Sequence, residues 1–439
     1  MTLAKLYHLR WPLIRLPLML LALGVCLLVW WKIYPMPKAQ LVISAGIPDG
    51  AYQAYANRYA QALAERGIEA EVLGSAGSEQ NLDRIRSAPP AADLAFVQGG
   101  FGWSAFDAPP EAQGRVVTMA TVDFEGLWLF TPDVAITDLI QLTGKRVAIG
   151  PEGSGHRVLF MRLLKQTDVP ANDLTLMDLT GQAAVEALDD GLVDAVFAVA
   201  SPGAPMIQSL LKRPRARLAA LEQTGAIVER NNYLSHRLLA QDALGPDRPA
   251  IDTSVLTTPT HLVARHDLDP ALIRTITSIA TTIHSGEGVF HRQGELPSIR
   301  FADFPSSPES RTVMTSGLGW MEAHLPFKVA QVLQRVLLIG LPVFLITGLL
   351  MAVIPAWIRL VLEGRISRWY GELRFIENDL RENLLEAGGL EMSRINSRLK
   401  ELERALSTIK LPPELAHRWF TLHQHVAYVR TYLRRYRGR

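Results

Sequence analysis

The stretch from Leu41 to Arg66, LVISAGIPDGAYQAYANRYAQALAER, contains one complete strand–turn–helix unit. Its first four residues, LVIS, form a short apolar run that is typical of a buried strand. A turn with two glycines follows from Ala45 to Tyr52, and the spacing of apolar residues then predicts a helix from Tyr55 to Arg66. Because a strand joined to a helix through a turn is the first half of a βαβ crossover, the stretch predicts an α/β domain.

The same unit recurs further along the chain. Strands are predicted at Leu41–Ser44, Glu69–Leu73, Leu94–Gln98, Val116–Val122, Leu127–Thr131, Arg146–Ile149, Leu174–Asp178 and Ala195–Val199. Helices are predicted at Tyr55–Arg66, Glu79–Ser87, Arg157–Gln166, Ala183–Leu188 and Pro205–Leu211. This alternation predicts parallel sheets with helices on both faces. Ligands bind such sheets at the carboxyl ends of the strands, so a site is expected at the strand-to-helix turns.

Small and hydroxyl residues are concentrated in those turns. The turns are Ala45–Tyr52, Gly74–Asn81, Gln98–Gly100, Gly150–His156 and Ala200–Ala204. A Gly/Ser turn at a helix start presents free backbone N–H groups and the positive end of the helix dipole, which suits a carboxylate or a phosphate. A single turn of this kind is explained equally well as ordinary helix capping. Five on consecutive strands favour a shared anion-binding cleft.

The sequences of the same turns match none of the enzyme motifs compared with them. GPEGSGHR lacks the Lys-Ser/Thr of a P-loop and the spacing of a dinucleotide-binding turn, and no G-x-S-x-G elbow or H-E-x-x-H sequence occurs. The single cysteine, Cys26, excludes an intrachain disulfide, a cysteine-based zinc site and a CxxC redox pair. The sequence therefore predicts neither a catalytic residue nor a metal or cofactor site.

Two apolar segments predict membrane spans. Residues 16–34 contain the uncharged run LPLMLLALGVCLLVWW, and residues 336–358 are uncharged and bracketed by basic residues. A cleaved signal peptide is the competing interpretation of the first segment, but KIYPMPKAQ contains no convincing small-x-small cleavage site. A buried core helix is the alternative for the second.

Charge predicts the orientation of both spans. Residues 1–15 have a net charge of +3, and residues 359–439 have 16 basic and 10 acidic residues. The positive-inside rule then puts both termini in the cytoplasm and the residues between the spans outside the cell membrane. The whole chain has 45 basic and 43 acidic residues and no basic arm with aromatics before the second span, so nucleic acid is not an expected partner. The lipid bilayer is an expected partner.

Residues 359–439 form a separate predicted region of packed or coiled helices. Apolar residues step by three and four in three segments, at Leu373, Ile376 and Leu380, at Ile395, Leu399, Leu402, Leu406 and Ile409, and at Leu415, Trp419, Leu422, Val426, Val429 and Leu433. Gly388-Gly389 and Pro412-Pro413 separate the segments. The region is either a small bundle at the inner membrane face or a docking or signalling element.

Five separated motifs occur in the order found in one family of receptors. They are LVISAGIPDGAYQAYANRYAQALAER, GSAGSEQNLDRIRS, ADLAFVQGG, LTGKRVAIGPEGSGHRVLFMRLL and ALDDGLVDAVFAVASPGAPMIQSLL. Together they resemble the TAXI-type solute-binding receptors of tripartite ATP-independent periplasmic (TRAP) transporters, from about Leu41 to Phe304. Residues 325–373 resemble the tail of membrane-anchored members.

The resemblance implies a two-lobed type II periplasmic-binding-protein fold. Lobe 1 would comprise residues 40–130 and 252–325, because Val255–Ala264 is predicted to return as a strand, and lobe 2 would comprise residues 131–251. Such receptors bind small carboxylates such as glutamate or 2-oxoglutarate and deliver them to a TRAP permease subunit. The implied partners are therefore a small anionic solute and that permease.

The resemblance also implies the ligand-binding residues. They are Gly46, Gly50 and Tyr52 in the first turn, Ser75, Gly77, Ser78 and Asn81 in the second, Gln98, then Gly153, Ser154 and Gly155, and finally Ala200, Ser201 and Gly203. Asp194, ahead of the strand that leads to Ala200, also matches the family. Arg157 is the nearest candidate cation, although a solvated helix residue explains it equally well. The chain departs from the family at Pro48, Asp49, Ala51 and Gln53. An Asp would repel a carboxylate unless it points away or binds an amine, so an amino acid or an unusual ligand is an open alternative.

Two functions follow from these features. One is a membrane-tethered receptor that passes a carboxylate to a TRAP permease, and the other is a transmembrane sensor that signals through the cytoplasmic helices. An enzyme is a distant third, because no nucleophile–base pair is recognisable. A gene for a TRAP permease beside this one would favour transport.

Overall fold

The computed structural model describes residues 11–33, 35–48, 50–102, 114–167, 169–219, 221, 224–383, 389–408 and 416–437. The chain divides into two compact units. Residues 36–332 form one unit, and residues up to 35 form the other together with residues 333–439. The strand–turn–helix repeats all lie in the unit formed by residues 36–332.

The strands of that unit pair into a single sheet. They are β1 Gln40–Ser44, β2 Glu69–Leu73, β3 Leu94–Gln98, β4 Val116–Thr131, β5 Arg146–Ala148, β6 Thr175–Met177, β7 Ala195–Ala200, β8 Arg217–Leu218, β9 Ser235–Leu239 and β10 Thr253–Arg265. The order across the sheet is β2-β1-β3-β10-β4-β7-β5-β6, with β8 paired to β4 and β9 to β10. Six of the eight predicted strands each correspond to one of these elements, the other two both fall on β4, and the predicted returning strand is β10.

The sheet is mixed, whereas the sequence predicted parallel sheets. β1 is parallel to β2 and β3, and β5 is parallel to β6 and β7. The long strands β4 and β10 are antiparallel to each other, and they join the two parallel groups because β10 also pairs with β3 and β4 with β7. The α/β fold class is confirmed. The residue bounds of the two lobes stay a prediction.

One strand differs clearly from the expectation. Val116–Val122 and Leu127–Thr131 were expected as two separate strands, but β4 runs without interruption through both of them and through Asp123 and Glu125 between them. Both acidic side chains are buried in the structure. Asp123 and Glu125 therefore mark a buried polar site inside one long strand.

Helices pack on both faces of the sheet. The helices of this unit are α2 Ala51–Glu65, α3 Ser78–Arg86, α4 Gly155–Gln166, α5 Gly181–Asp189, α6 Pro205–Leu211, α7 Thr224–Arg230, α8 Pro270–His284, α9 Pro308–Ser316 and α10 Trp320–His324, whereas α1 Trp11–Ile33 belongs to the other unit. One core holds β1 and the middle of β4 together with α2 and α8. Two further cores cover β7 on its opposite faces, one with α4 and the other with α5 and α6.

The remaining helices form the second unit, apart from the start of α11. They are α11 Phe327–Arg335, a π-helical turn at Val336–Gly340, and then α12 Leu341–Asn383, α13 Gly389–Thr408 and α14 Ala416–Arg437. Two apolar helical segments among the described residues are long enough to cross a membrane, at Leu16–Ile33 and Phe327–Ile354. They lie side by side, since a Cβ on Gly348 would be 3.2 Å from Cε of Met19.

The tail helices share one buried apolar cluster. It contains Ile366, Leu373, Ile376 and Leu380 of α12, Ile395, Leu399, Leu402 and Leu406 of α13, and Leu422, Val426, Val429 and Leu433 of α14. Ile409, Leu415, Gly388 and Pro412-Pro413, which the tail prediction also used, lie outside the described residues. Because α12 is continuous from Leu341 to Asn383, the predicted span and the start of the tail belong to one helix.

Candidate functional site

The strand-to-helix turns converge on one cavity of about 470 Å³ in the α/β unit. Four helices of nine or more residues begin at its wall, namely α2, α3, α4 and α5. Each helix start brings backbone N–H groups and the positive end of its dipole to the cavity wall. This arrangement favours an anionic group.

Eight of the fifteen predicted ligand-binding residues line the cavity. They are Gly46, Gly50, Tyr52, Gly77, Ser78, Gln98, Gly155 and Ala200. The other seven lie outside its described lining: Ser75, Asn81, Gly153, Ser154, Arg157, Ser201 and Gly203. Pro48 and Ala51, where the chain departs from the family, also line the cavity. Asp49 lies outside the described residues.

The Gly74–Asn81 turn combines a cavity wall with a structural anchor. The buried Ser78 accepts a hydrogen bond at Oγ from the Gln98 N–H, at 2.9 Å, which leaves its own hydroxyl proton to be donated. Asn81 instead connects the strands, because its amide donates to the carbonyl oxygens of Ala45 at 2.7 Å and Phe96 at 2.8 Å. Ser75 Oγ donates to the Ala45 carbonyl oxygen at 3.3 Å. Ser75 and Asn81 therefore hold the turn in place.

Two glycines are required by a close approach between this turn and the start of α4. Gly77 has φ +139°, and a Cβ on it would lie 3.2 Å from Cα of Ser154. A Cβ on Gly155 would lie 2.5 Å from Oε1 of Gln98. A side chain at Gly77 would force the two turns apart, and one at Gly155 would displace the side-chain amide of Gln98. Gly77 and Gly155 therefore allow the ends of strands β2 and β3 and the start of helix α4 to enclose the same cavity.

Ser154 and Arg157 have structural contacts. Ser154 is the N-cap of α4 and accepts a hydrogen bond from the Arg157 N–H at 3.4 Å. The Arg157 guanidinium pairs with the Asp178 carboxylate and lines a separate surface cavity of about 920 Å³. Capping, the alternative weighed for the turn serines, accounts for this contact of Ser154. Arg157 therefore lies outside the described lining of the candidate site.

The turn after β7 contributes through its backbone. The Ala200 carbonyl oxygen accepts a hydrogen bond from Nε1 of the buried Trp128 at 2.9 Å, and Ala200 lines the cavity. Asp194, at the other end of the strand, forms an ion pair with Arg146 at 2.8 Å. Asp194 therefore serves the fold and does not face the ligand space.

Two titratable residues of the cavity were missed by sequence reasoning. Glu125 is 5% exposed and accepts a hydrogen bond at Oε2 from the Tyr52 hydroxyl at 2.9 Å. Burial, and then the charge of Asp123, raises the pKa of the Glu125 carboxyl to about 8. His156 accepts a hydrogen bond at Nδ1 from the Val199 N–H at 2.7 Å, and burial lowers its pKa to about 4. His156 is therefore neutral at pH 7 and carries its proton on Nε2.

The described lining of the cavity contains donors but no Lys or Arg. Gln98 is 2% exposed, and its amide nitrogen Nε2 is buried without a hydrogen-bond partner among the described atoms. A buried donor without a partner is costly unless a ligand accepts from it. No group of three or more His, Cys, Asp or Glu suited to a metal ion occurs in the described part of the chain.

Comparisons with solved structures find weak similarities. A protein of Bordetella bronchiseptica RB50 is 15% identical over 56% of this chain and 70% of its own, with a TM-score of 0.40. The alkanesulfonate-binding protein SsuA from Xanthomonas axonopodis pv. citri, solved bound to MOPS, is 17% identical over 56% of this chain and 73% of its own, with a TM-score of 0.36. The periplasmic aliphatic sulphonate binding protein SsuA from Escherichia coli is 17% identical over 68% and 84%, with a TM-score of 0.35. At these TM-scores the similarities carry no information about the ligand.

No curated protein matches the sequence. A family model does match from residue 43 to residue 282, a range that includes every described residue lining the cavity. That range is more than half of the chain. The chain therefore belongs to the NMT1-like family.

Proposed function

We propose that this protein is a membrane-anchored solute-binding receptor for a small carboxylate. The observation that carries the proposal is the cavity itself, where four helix N-termini meet the unpartnered amide nitrogen of Gln98. The volume of about 470 Å³ is in the usual range for small-molecule sites. Neutral donors fixed around a buried space can replace the hydration of an anion. No enzymatic step is proposed.

The two-lobed type II binding-protein fold gives such a cavity a mechanism. Residues 40–130 and 252–325 would form one lobe and residues 131–251 the other, with β4 and β10 passing between them. The close approach of Gly77 to Ser154 would then be a contact between lobes, made when they close around the ligand. Closure of two lobes around a solute supplies selectivity without chemistry.

The TAXI-type receptors remain the proposed subgroup, and a TRAP permease the proposed recipient of the ligand. The support is the order of the five glycine-rich motifs together with an apolar segment on each side of the binding domain. In this proposal the binding domain is periplasmic and is tethered to the bacterial inner membrane by two spans. The lipid bilayer is then a permanent partner.

The proposed topology leads to a prediction about the ends of the chain. Reporter fusions before Met1 and after Arg439 should both report the cytoplasm, because the basic residues before the first span and after the second stay on that side. A fusion after Gln40 should report the exterior. An exterior signal from the fusion after Arg439 would exclude the two-span topology.

A sensor is the second candidate function, and α12 favours it. This helix has 43 residues, about 65 Å, and runs from the apolar segment into the cluster shared with α13 and α14. A continuous helix of this kind could carry a movement across the membrane to the tail. Hydrogen exchange of α13 and α14 that changes on ligand addition would favour sensing, and unchanged exchange would favour transport.

The binding proposal is tested by two serine variants of the full chain in lipid nanodiscs. The probes are 2-oxoglutarate, succinate and glutamate in isothermal titration. Ser78→Ala should weaken binding of the probe that binds wild type by about ten- to a hundredfold, because it removes a hydroxyl hydrogen bond to a charged group. Ser154→Ala is the matched control, since its hydroxyl caps α4. It should cost about 1 kcal/mol of stability and leave affinity unchanged.

Three results would contradict the proposal or part of it. If none of the three probes binds wild type, the carboxylate receptor is wrong. If Ser78→Ala binds like wild type and only melts lower, Ser78 serves the fold alone. If Ser154→Ala weakens binding as much as Ser78→Ala, Ser154 contributes to ligand binding and does not act only as the cap of α4.

A further inference from the structure

The cavity has an unusual charge content for an anion site. Its described lining includes three titratable side chains, those of Tyr52, Glu125 and His156, and none of them is cationic at neutral pH. Glu125 is the only one that can carry a charge there, and that charge would be negative. An ionised Glu125 would oppose the same anion that the four helix N-termini attract.

The groups packed around Glu125 do not neutralise it. From α2, the Tyr52 hydroxyl donates to its Oε2. Across the sheet, β10 places Thr258 opposite Glu125. From α4, His156 is neutral because it accepts the Val199 N–H at Nδ1. On its own strand, Asp123 adds a second carboxyl group two residues away.

Asp123 is itself held by neighbours that do not reach Glu125. The Tyr55 hydroxyl and the Phe124 N–H donate to its carboxyl group, and Nε2 of His291 lies 3.9 Å from its Oδ1. His261 of β10 lies against Thr121 at 3.1 Å and Asp303 at 3.6 Å. No described Lys or Arg is in ionic contact with either Asp123 or Glu125, and His291 lies beside Asp123 and not beside Glu125.

We propose that Glu125 is protonated in the ligand complex and donates its carboxyl O–H to the carboxylate of the ligand, so that the receptor binds the anion together with one proton. This inference rests on the proposed function. The proton is not transferred to the ligand. At neutral pH Glu125 already holds it in the free protein, and at higher pH Glu125 takes it from solvent when the ligand binds. The donor set facing the ligand then consists of Glu125, Gln98, Ser78, His156 and the helix N-termini.

The surroundings of the carboxyl group support this assignment. Burial and the neighbouring Asp123 raise the pKa of Glu125 to about 8, while the pKa of His156 is lowered to about 4 and that of Tyr52 is raised well above 10. Burial also raises the pKa of Asp123. Among the titratable groups that line the described cavity, only Glu125 changes protonation between pH 6 and pH 9.

The inference also restricts the chemistry of the ligand. A ligand that placed an ammonium group beside Glu125 would require the ionised carboxylate. An oxo acid or a dicarboxylate, with an acceptor oxygen at that point, fits the protonated form. We therefore expect 2-oxoglutarate or succinate to bind in preference to glutamate, which differs from 2-oxoglutarate by an ammonium group at C2.

The experiment is titration calorimetry of the full chain in nanodiscs with these three probes at pH 6, 7, 8 and 9. Wild type should bind the preferred carboxylate about tenfold more weakly at pH 9 than at pH 6, because roughly one-tenth of Glu125 is protonated one pH unit above its pKa. Repeating the titration at pH 9 in two buffers of different ionisation enthalpy should detect uptake of about one proton per ligand.

Two variants complete the test. Glu125→Gln keeps an N–H donor but cannot ionise, so its affinity should fall about three- to tenfold at pH 6 and then stay constant to pH 9. Glu152→Gln is the matched control, because Glu152 is an exposed carboxylate on the Gly150–His156 turn outside the described lining of the cavity. The affinity of Glu152→Gln for the probe should depend on pH in the same way as that of wild type.

The outcomes separate the inference from the proposed function. If a carboxylate binds wild type equally well at pH 6 and pH 9 without proton uptake, the protonated Glu125 is wrong and the receptor stands. If glutamate is preferred and Glu125→Gln weakens it a hundredfold or more, Glu125 binds an amine as a carboxylate, and the inference is overturned. If no probe binds at any pH, the receptor proposal itself fails.

Discussion

Replacement of Trp128 by alanine is expected to lower the free energy of unfolding of the α/β unit by about 3 to 5 kcal/mol. Trp128 is fully buried in β4, where its ring lies against Phe130 and Phe290, with centroids 6.2 and 6.1 Å away. The substitution removes these contacts and leaves a large cavity. It also leaves the Ala200 carbonyl oxygen without the donor Nε1 of Trp128.

Pulse proteolysis of the full chain in increasing urea measures this loss. Trp128→Phe keeps most of the ring and loses the N–H donor, so it should cost about 1 to 2 kcal/mol. Because Ala200 lines the cavity, Trp128→Phe should also weaken ligand binding. Trp320→Ala is the control for tryptophan replacement as such, since Trp320 is 69% exposed, and it should change stability by about 0.5 kcal/mol or less. A loss below 1 kcal/mol for Trp128→Ala would show that β4 is not a stability centre.

The parts of the fold that sequence predicts well are those with a local cause. Apolar runs such as LVIS and RVAI are strands because only a sheet interior buries every side chain of a short run. Gly77 and Gly155 are recognisable as turn residues, and the structure adds the reason, which is the close approach of two turns. The tail helices followed from residues spaced by three and four, which lie in one buried cluster.

The roles of individual turn residues were not predictable in this way. Ser78 and Ser154 stand in similar Gly/Ser turns, yet Ser78 lines the cavity and Ser154 caps α4. The difference depends on which element each turn meets in the folded protein. Arg157 was a candidate cation because of its position after the Gly-Ser-Gly turn, but its partner Asp178 is 21 residues away in sequence. Sequence spacing does not specify such pairs.

Glu125 was missed because the residues between Val122 and Leu127 were left out of both predicted strands. Asp123 and Glu125 are two residues apart and therefore face the same side of β4. Two acidic residues with this spacing inside an otherwise apolar stretch were a signal for a buried polar site within one long strand. The correct interpretation needed β10, which covers β4 along most of its length and is more than 100 residues away in sequence.

The buried carboxyl of Glu125 should also make the stability of the protein depend on pH without any ligand. Its pKa is about 8 in the folded protein against 4.5 for an ordinary Glu, so the folded state binds more protons between these values. Stability contributed by this group is fully present below about pH 4.5 and is lost as the pH rises toward 8. Because Gln cannot ionise, Glu125→Gln should gain stability relative to wild type over that window. The gain should reach roughly 3 to 5 kcal/mol at pH 9.

Urea pulse proteolysis of wild type and Glu125→Gln at pH 5, 7 and 9 measures the difference. Comparing the two proteins at each pH cancels the contributions of His156 and His284, whose pKa values burial lowers in both. The difference in the free energy of unfolding between Glu152→Gln and wild type should not grow with pH, since the Glu152 carboxyl is exposed. A constant difference between Glu125→Gln and wild type from pH 5 to pH 9 would mean that Glu125 ionises normally in the folded protein. The cavity would then hold a negative charge at neutral pH, and a cationic ligand would become the better fit to the same walls.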